Sequence, residues 1–411
     1  MKYANYYYRG GGYFNNLGDY LQILTIDYIY KKMGIDTSEI IYIDKKELAE
    51  YDGEPVILPI AMPLSDYKER GYAGKFSAKI TPVFLGLTLA KSNLLPEEVS
   101  FFKKYEPIGC RDERTYSLLQ KYEINAYLGG CITVLLPLRT DSVLKREKTF
   151  LIDTPKSLKP YLPDNIMQNS VIDTHYFYNA IPDPMTKTIE RYQQYAEEAS
   201  LVVTSLLHCA IPCMAMGIPV IWARDLVSYR FGWAEALLHI YTPDEYHKIN
   251  WNPTPIEYES HKQLIFNLVT KRLCGSNDKD IIETVHNFYM NRKEKNIYVE
   301  DEFFPLKKFI DTHWIDTYTP YQYAVWGLTQ VAERLVDYVS TKYPNASLVH
   351  VYDSAHVWKL NGVKSQHPDN IRKYPDETVF VTSLSARESA KKLFNELHRP
   401  ESLYALMYYV S

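Results

Sequence analysis

The segment Thr204-Ser205-Leu206-Leu207-His208 sets an imidazole at the start of an otherwise apolar stretch, ASLVVTSLLHCAIPCMAMGIPVIWA, from Ala199 to Ala223. An imidazole titrates near pH 6.5, so His208 is the candidate for acid–base work at neutral pH. Thr204 or Ser205 can cap a helix over Leu206–Met216 and so aim its first N–H groups at whatever lies above. Pro212 has no N–H to offer the His208 carbonyl four residues back, and a kink is expected there. A lone histidine on an apolar helix also occurs as a satisfied core residue; the strand end, the cap and the proline weigh toward function. A second cluster is Asn16-Leu17-Gly18-Asp19. Here Asn16 can cap a helix and Asp19 can reciprocate as in a capping box. Gly18 permits close backbone approach, and the helix start attracts anions. Gly10, Gly11 and Gly12 precede it. A third cluster, Gly109-Cys110-Arg111-Asp112-Glu113-Arg114-Thr115, puts Arg111 where it can meet a phosphate or carboxylate, or pair with its acidic neighbours as Arg114 can. Gly129-Gly130-Cys131-Ile132-Thr133 stands at the next strand end. Arg230, in SYRFGW, is a further candidate donor to an anion, because a guanidinium makes planar two-pronged contacts; a surface or interdomain ion pair is its other reading.

Strands and helices alternate around these residues. YANYYY (from Tyr3), PVILPI (from Pro55), TPVFLGL (from Thr81), PIGC (from Pro107) and INAYLG (from Ile124) read as strands. An amphipathic helix over Tyr20–Lys32, then LPEEVSFFKKY (from Leu95) and ERTYSLLQKY (from Glu113), lie between them. The charged stretch Leu138–Lys148 is the expected join to a second set: TFLIDTP, NSVIDTHYF, a helix over Thr186–Ala199 and the apolar strand-helix-strand unit. Helices Ile256–Arg272 and Lys279–Arg292 are expected to close that half. Such alternation means parallel sheets covered by helices. The expected fold class is α/β: two similar-sized halves, 1–145 and 146–310, face each other across a cleft, followed by a small α/β unit over 311–411.

The chain has 411 residues, enough for two or three domains at roughly 150 each. Its formal net charge is −4, which argues against a nucleic-acid partner, and an apolar content of 46% excludes global disorder. Five cysteines without metal spacing suit a reducing cytoplasm, and no metal or cofactor is expected. The apolar stretch is long enough to span a membrane, but His208, Pro212, Gly217 and Pro219 interrupt it. No signal-peptide core opens the chain. A cytoplasmic protein is expected. The 37 tyrosines could stack on sugars or interfaces, but compositional bias accounts for them equally well.

In this order, NNLGDYLQ, PIGCRDERTYSLL, YLGGCITVLLP and VVTSLLHCAIPCMAMGIPVI resemble the polysaccharide pyruvyl transferase family, over roughly Asn15 to Val220. Members have a T-S-R/S-L-H motif, then a helix of small residues and G-x-P; Thr204, Ser205 and His208 match it, and Leu206 stands where many active members have Arg. The resemblance implies a GT-B-like pair of Rossmann-like domains and transfer of the enolpyruvyl group of phosphoenolpyruvate onto a nucleotide- or lipid-linked sugar, closing a pyruvate ketal. It implies His208 as the acid/base, Arg111 and Arg230 as contacts to the donor, and Asn16, Gly18, Asp19, Thr204 and Ser205 as cleft-lining, substrate-binding residues. Peripheral contact with membrane-bound glycan machinery and homo-oligomerisation are compatible partners. Two other readings fit the same cleft: a glycosyltransferase using a nucleotide sugar, and a non-catalytic glycan-assembly protein.

The last hundred residues contain YAVWGLTQ, an amphipathic helix, a strand ending at Asp353, then VFVTSLSARESAKKLF. This resembles the truncated Rossmann-like modules that accompany sugar-modifying enzymes. Asp353 fits the ribose-binding position, but Trp326-Gly327-Leu328-Thr329 replaces the Gly-x-Gly of a dinucleotide turn. A non-redox binding or scaffolding module is expected.

Overall fold

Short apolar runs such as VILPI (Val56–Ile60) and VIWA (Val220–Ala223) become strands buried on both faces, as parallel sheets require. A computed structural model describes residues 2–8, 15–62, 64, 76–89, 93–140, 146–177, 183–225, 227, 230–291, 303–354, 357 and 359–407. Gly10, Gly11 and Gly12, and the middle of the charged join, lie outside the described residues. In the first half, strands Ile41–Asp44, Lys2–Tyr7, Val56–Ile60 and Ile80–Phe84 pair in that spatial order, all parallel. A bridge from Leu87 to Cys110 leads on to the parallel pair Ile108–Cys110 and Ala126–Leu128. In the second half the order is Ile240–Tyr241, Val220–Ala223, Ala199–Thr204, Lys148–Ile152 and Ser170–Asp173, again parallel throughout. Counted from each half's own first strand, both sheets begin second-first-third-fourth. Strand order therefore reverses between the first and third strands, and ligands of such sheets gather at the carboxyl ends beside that reversal.

The helices that start at these two reversals face each other. The Leu17–Lys32 helix follows the first strand of one half, and the Leu207–Ala215 helix follows the third strand of the other. The first was expected to be amphipathic but is buried nearly all round, from Leu17 and Tyr20 to Ile29 and Tyr30. It lies between its own sheet and the helices of the second half, packing on Pro184–Glu198 and on the His208 helix. One apolar core consequently runs through both halves, from Ala4 and Tyr6 to Val285 and Tyr289.

Helices Glu259–Leu273 and Lys279–Met290 do not simply close the second half; they cross back onto the first. The Arg272 guanidinium donates to the Pro107 carbonyl at 2.8 Å, and His286 Nδ1 accepts from the Leu128 N–H at 3.0 Å. The third unit has its own cores on the two faces of a third sheet. That core takes in Phe303, Leu306, Phe309 and Ile310, ahead of the expected start at 311. No helix among the described residues is long and apolar enough to cross a membrane.

Asp112 fixes the turn that presents Arg111. Buried at the N-cap of the Glu113–Lys121 helix, it accepts from Thr115 N–H at 2.9 Å and from Thr88 Oγ1 at 2.8 Å. Asp112→Ala should therefore lower stability by about 2 kcal/mol, at the upper end of cap losses because a second donor is also stranded. A urea titration followed by tryptophan fluorescence reads this as an earlier midpoint.

Candidate active site

The strand Ala199–Thr204 delivers the motif to the mouth of the second half. Thr204 is fully buried, and its Oγ1 accepts from the Leu206 N–H at 3.0 Å. Ser205 Oγ donates to the Asp153 carbonyl at 2.6 Å, tying together the ends of the third and first strands. Ser205's own carbonyl takes Trp222 Nε1 at 3.2 Å and the Arg224 guanidinium. The N-cap residue of the helix is Leu206, not Thr204 or Ser205 as expected, and it makes no side-chain cap bond. Both hydroxyls thus brace the turn. The backbone departure lies at His208 itself (φ −81°, ψ 20°) rather than at Pro212. Its carbonyl, which the proline ring leaves without a helical donor, accepts from the Tyr192 hydroxyl instead.

From the other half, Gly18 meets this imidazole directly. A Cβ added at Gly18 would lie 2.3 Å from His208 Nδ1 and 2.6 Å from His208 Cβ, so only glycine allows the two helix starts to come so close. Asn16 Oδ1 accepts from the Gly18 N–H at 2.9 Å, one residue short of the Asp19 N–H that a capping box would engage. Asn16 also pairs antiparallel with Tyr176, and the Leu17 N–H donates to the His175 carbonyl, so this corner is bonded to the second half. One turn along the same helix face, Gln22 Nε2 stands 3.3 Å from His208 Nε2, and Cys131 Sγ lies 3.5 Å from that nitrogen. Together they orient the ring.

Charge surrounds it. Arg111 emerges from the strand Ile108–Cys110 with only 2% of its surface exposed, and its Nη2 has no hydrogen-bond partner among the described residues. Its neighbour Asp112 is committed to Thr88 and Thr115, so that carboxylate serves as a cap. Burial lowers the Arg111 pKa, and the nearby Arg230 lowers it further, while Cys131, Asp112 and Asp19 act the other way. Asp19 is held above the ordinary carboxylate value by burial, with Lys45, Arg111 and Arg230 pulling it back. His208 lies well below its ordinary value. Burial is the main cause, and the fields of Arg111, Arg230 and His175 add to it. The imidazole is therefore a neutral base at pH 7, beside a cluster of cations.

The structure brings His208, Gly18, Asp19, Arg111 and Arg230 into one neighbourhood; Asn16, Thr204 and Ser205 act one step back, as braces. Gln22, Lys45 and Tyr192 were not anticipated. The four-residue spacing from Gly18 to Gln22, which puts both on one helix face, was the available signal for the glutamine. Leu206, at the motif position often held by Arg, is 3% exposed and sits in the shared core. Among the described residues, no group of three or more His, Cys, Asp or Glu side chains could hold a metal ion.

Two doubly wound α/β halves thus meet at their strand ends around a neutral imidazole and a buried arginine. Residues 16–224, just over half of the chain, match the model of the family Polysaccharide pyruvyl transferase, and the chain belongs to that family. It is a polysaccharide-modifying transferase. No curated protein matches the chain significantly. Among solved structures, it is similar to a functionally uncharacterized protein of Klebsiella pneumoniae (TM-score 0.33, 16% identity, 54% of this chain and 83% of that one). It is also similar to the wall teichoic acid polymerase TagF (TM-score 0.29, 12% identity, 70% and 88%) and to S. aureus MnaA solved with UDP (0.31, 10%, 70% and 92%).

Two outcomes follow from this geometry. Gly18→Ala should overpack the junction and lower stability by about 1–3 kcal/mol, because the clash includes His208 Cβ and cannot be relieved by ring rotation alone. The urea midpoint of the variant measures it. The depressed pKa of His208 also links stability to pH. The unfolded chain takes up a proton near pH 6.5 while the folded imidazole resists it, so this contribution is fully present above pH 6.5 and is lost as pH falls below. Between pH 6.5 and 5, wild type should lose stability faster than His208→Gln, by at most ~1.4 kcal/mol per pH unit; parallel urea midpoints in the two proteins would contradict this.

Proposed function

We propose that this transferase moves the enolpyruvyl group of phosphoenolpyruvate onto a sugar of a surface-polysaccharide precursor and closes it into a pyruvate ketal. The observation that supports this most is the buried Arg111 with an unpartnered Nη2, in the same cluster as Arg230 and a neutral His208. A small donor bearing both a phosphate and a carboxylate is what such a cluster suits. Its negative charge would offset the arginine fields that add to burial in keeping His208 neutral. The imidazole can then hold the proton it removes from the acceptor hydroxyl.

The chemistry balances with one such group. The acceptor oxygen adds at C2 of the donor, its proton passes to His208, and His208 delivers a proton to C3, which becomes a methyl group and leaves the imidazole neutral again. Phosphate leaves with the C2–O bonding pair; a second sugar hydroxyl adds at the same carbon, and its proton goes to the departing phosphate or to the imidazole. Asn16, Thr204 and Ser205 act by holding the two helix starts in place, and Gly18 by leaving room for the ring. Lys45 and Asp19 add opposing charges beside the arginines.

The test is phosphate release, together with the mass of a pyruvate ketal on the acceptor, using phosphoenolpyruvate and nucleotide- or lipid-linked hexoses. Turnover should fall by ~10²–10⁴ in His208→Gln, while donor binding weakens much less, since the cations remain. No turnover with any galactose, glucose, mannose or N-acetylhexosamine acceptor would count against pyruvyl transfer. If His208 is only a core residue, the variant melts earlier and keeps its specific activity.

A further inference from the structure

We infer that the third unit has a second ligand site, for a ribonucleotide with one nucleoside and a short phosphate chain, at the carboxyl ends of its strands. Its sheet runs Val363–Gln366, Ser347–Tyr352, Gln322–Trp326, Thr378–Val381 and Tyr404–Leu406, all parallel, with a short antiparallel strand at one edge. Counted along the chain this is third-second-first-fourth-fifth. The order reverses between Gln322–Trp326 and Thr378–Val381, and open parallel sheets take their ligands in the crevice at that reversal. A cavity of about 620 Å³ opens there, between the turn at Gly327, the end of the second strand and the Leu384–Glu396 helix. Small-molecule sites are ~300–1,000 Å³.

The two ends of the cavity differ in chemistry. At one end Asp353 follows directly on the second strand, and its Oδ2 accepts from the Leu328 N–H at 3.3 Å, which holds the carboxylate over the turn. An acid at this position receives the neighbouring hydroxyls of a ribose. Ser383, packed on the Gly327 turn, brings its hydroxyl, that of Ser385 and the first amides of a thirteen-residue helix to the same end, and as N-cap it makes no side-chain cap bond; the exposed Lys392 stands further along that helix. Arg372 closes this wall through its ion pair with Glu396 at 2.9 Å. A hydroxyl-accepting acid beside helix amides, with a cation further along the same wall, fits a ribose and a short phosphate chain.

A dinucleotide does not fit. Gly327 has φ +103°, and a Cβ there would lie 2.2 Å from Ser383 Cβ, so the loop after the fourth strand sits directly on the turn. Thr329 Oγ1 ties the same two segments by donating to the Thr382 carbonyl at 2.6 Å. A pyrophosphate bridging two nucleosides would have to pass through that contact.

Calorimetric titration of the full chain with UDP, GDP, CDP and ADP tests the site, with NAD⁺ and inorganic phosphate as comparisons. At least one of the four should saturate a single site, its 2′-deoxy counterpart should bind about tenfold more weakly, and NAD⁺ should not compete. Lys392→Glu, at an exposed side chain, should weaken binding by about tenfold or more, and Asp353→Asn, which keeps an acceptor for Leu328, should do the same. Arg111→Gln, in the central cleft, should leave it unchanged. The inference is overturned if none of the four nucleotides binds at millimolar concentration, or if the deoxy form or NAD⁺ binds equally well. It is also overturned if inorganic phosphate alone accounts for the affinity. Loss of binding in Arg111→Gln with retention in Lys392→Glu would place the nucleotide in the central cleft and overturn it too. None of these readouts depends on pyruvyl transfer, so the two proposals fail separately.

Discussion

The meeting of Gly18 with His208 is the contact on which the rest of the central site depends. Two helices, one from each half, start at the strand reversals of their sheets and touch where one residue has no side chain. Everything nearby serves to keep that spacing. Asn16 closes the first turn, the Tyr176–Asn16 pairing fixes its height, and Ser205 binds the facing loop to Asp153. Tyr192 takes up the one carbonyl that Pro212 leaves exposed to neglect. An unpaired carbonyl in so buried a place would cost about 1–3 kcal/mol, so the tyrosine makes the kinked helix tolerable.

The second constraint is electrostatic. A buried guanidinium is unfavourable unless something negative answers it, and in Arg111 the burial and Arg230 both work against the charge. Cys131, Asp112 and Asp19 supply only a partial answer. Burial keeps His208 unprotonated and the same cations add to that effect, so the imidazole and Arg111 lie in one field. The buried carboxyl of Asp19, pushed up by desolvation and drawn back by three cations, is the counterweight within that field.

Much of this was legible in the sequence because it is local. The alternation of short apolar runs with helices gives two parallel α/β halves and a third unit, and the capping residue Asn16 beside Gly18 marks a helix start. What was not legible depends on long-range packing. The Leu17–Lys32 helix loses its expected polar face because a second half covers it, which no periodicity within the helix could reveal. The helices after residue 259 cross back onto the first half through Arg272 and His286, partners that are more than 150 residues away in sequence. Gln22 joins the site only because the halves dock, whereas Lys45 joins it beside Asp19 and Arg111 of its own half. The hydroxyls of Thr204 and Ser205 face their own turn rather than a ligand, a choice set by the Asp153 carbonyl across the sheet.

The core shared by the two halves has a mechanical consequence. In a protein whose domains have separate interiors, a hinge can swing the cleft open at little cost. Here Tyr6, Tyr30, Ile211 and Tyr289 belong to one continuous apolar interior, and a wide swing would bring much of it into water. The two halves therefore behave as one cooperative body, and a donor or acceptor must enter by displacement of loops and side chains at the mouth. The third unit has interiors of its own, so reorienting it as a block would leave the shared core of the two halves intact.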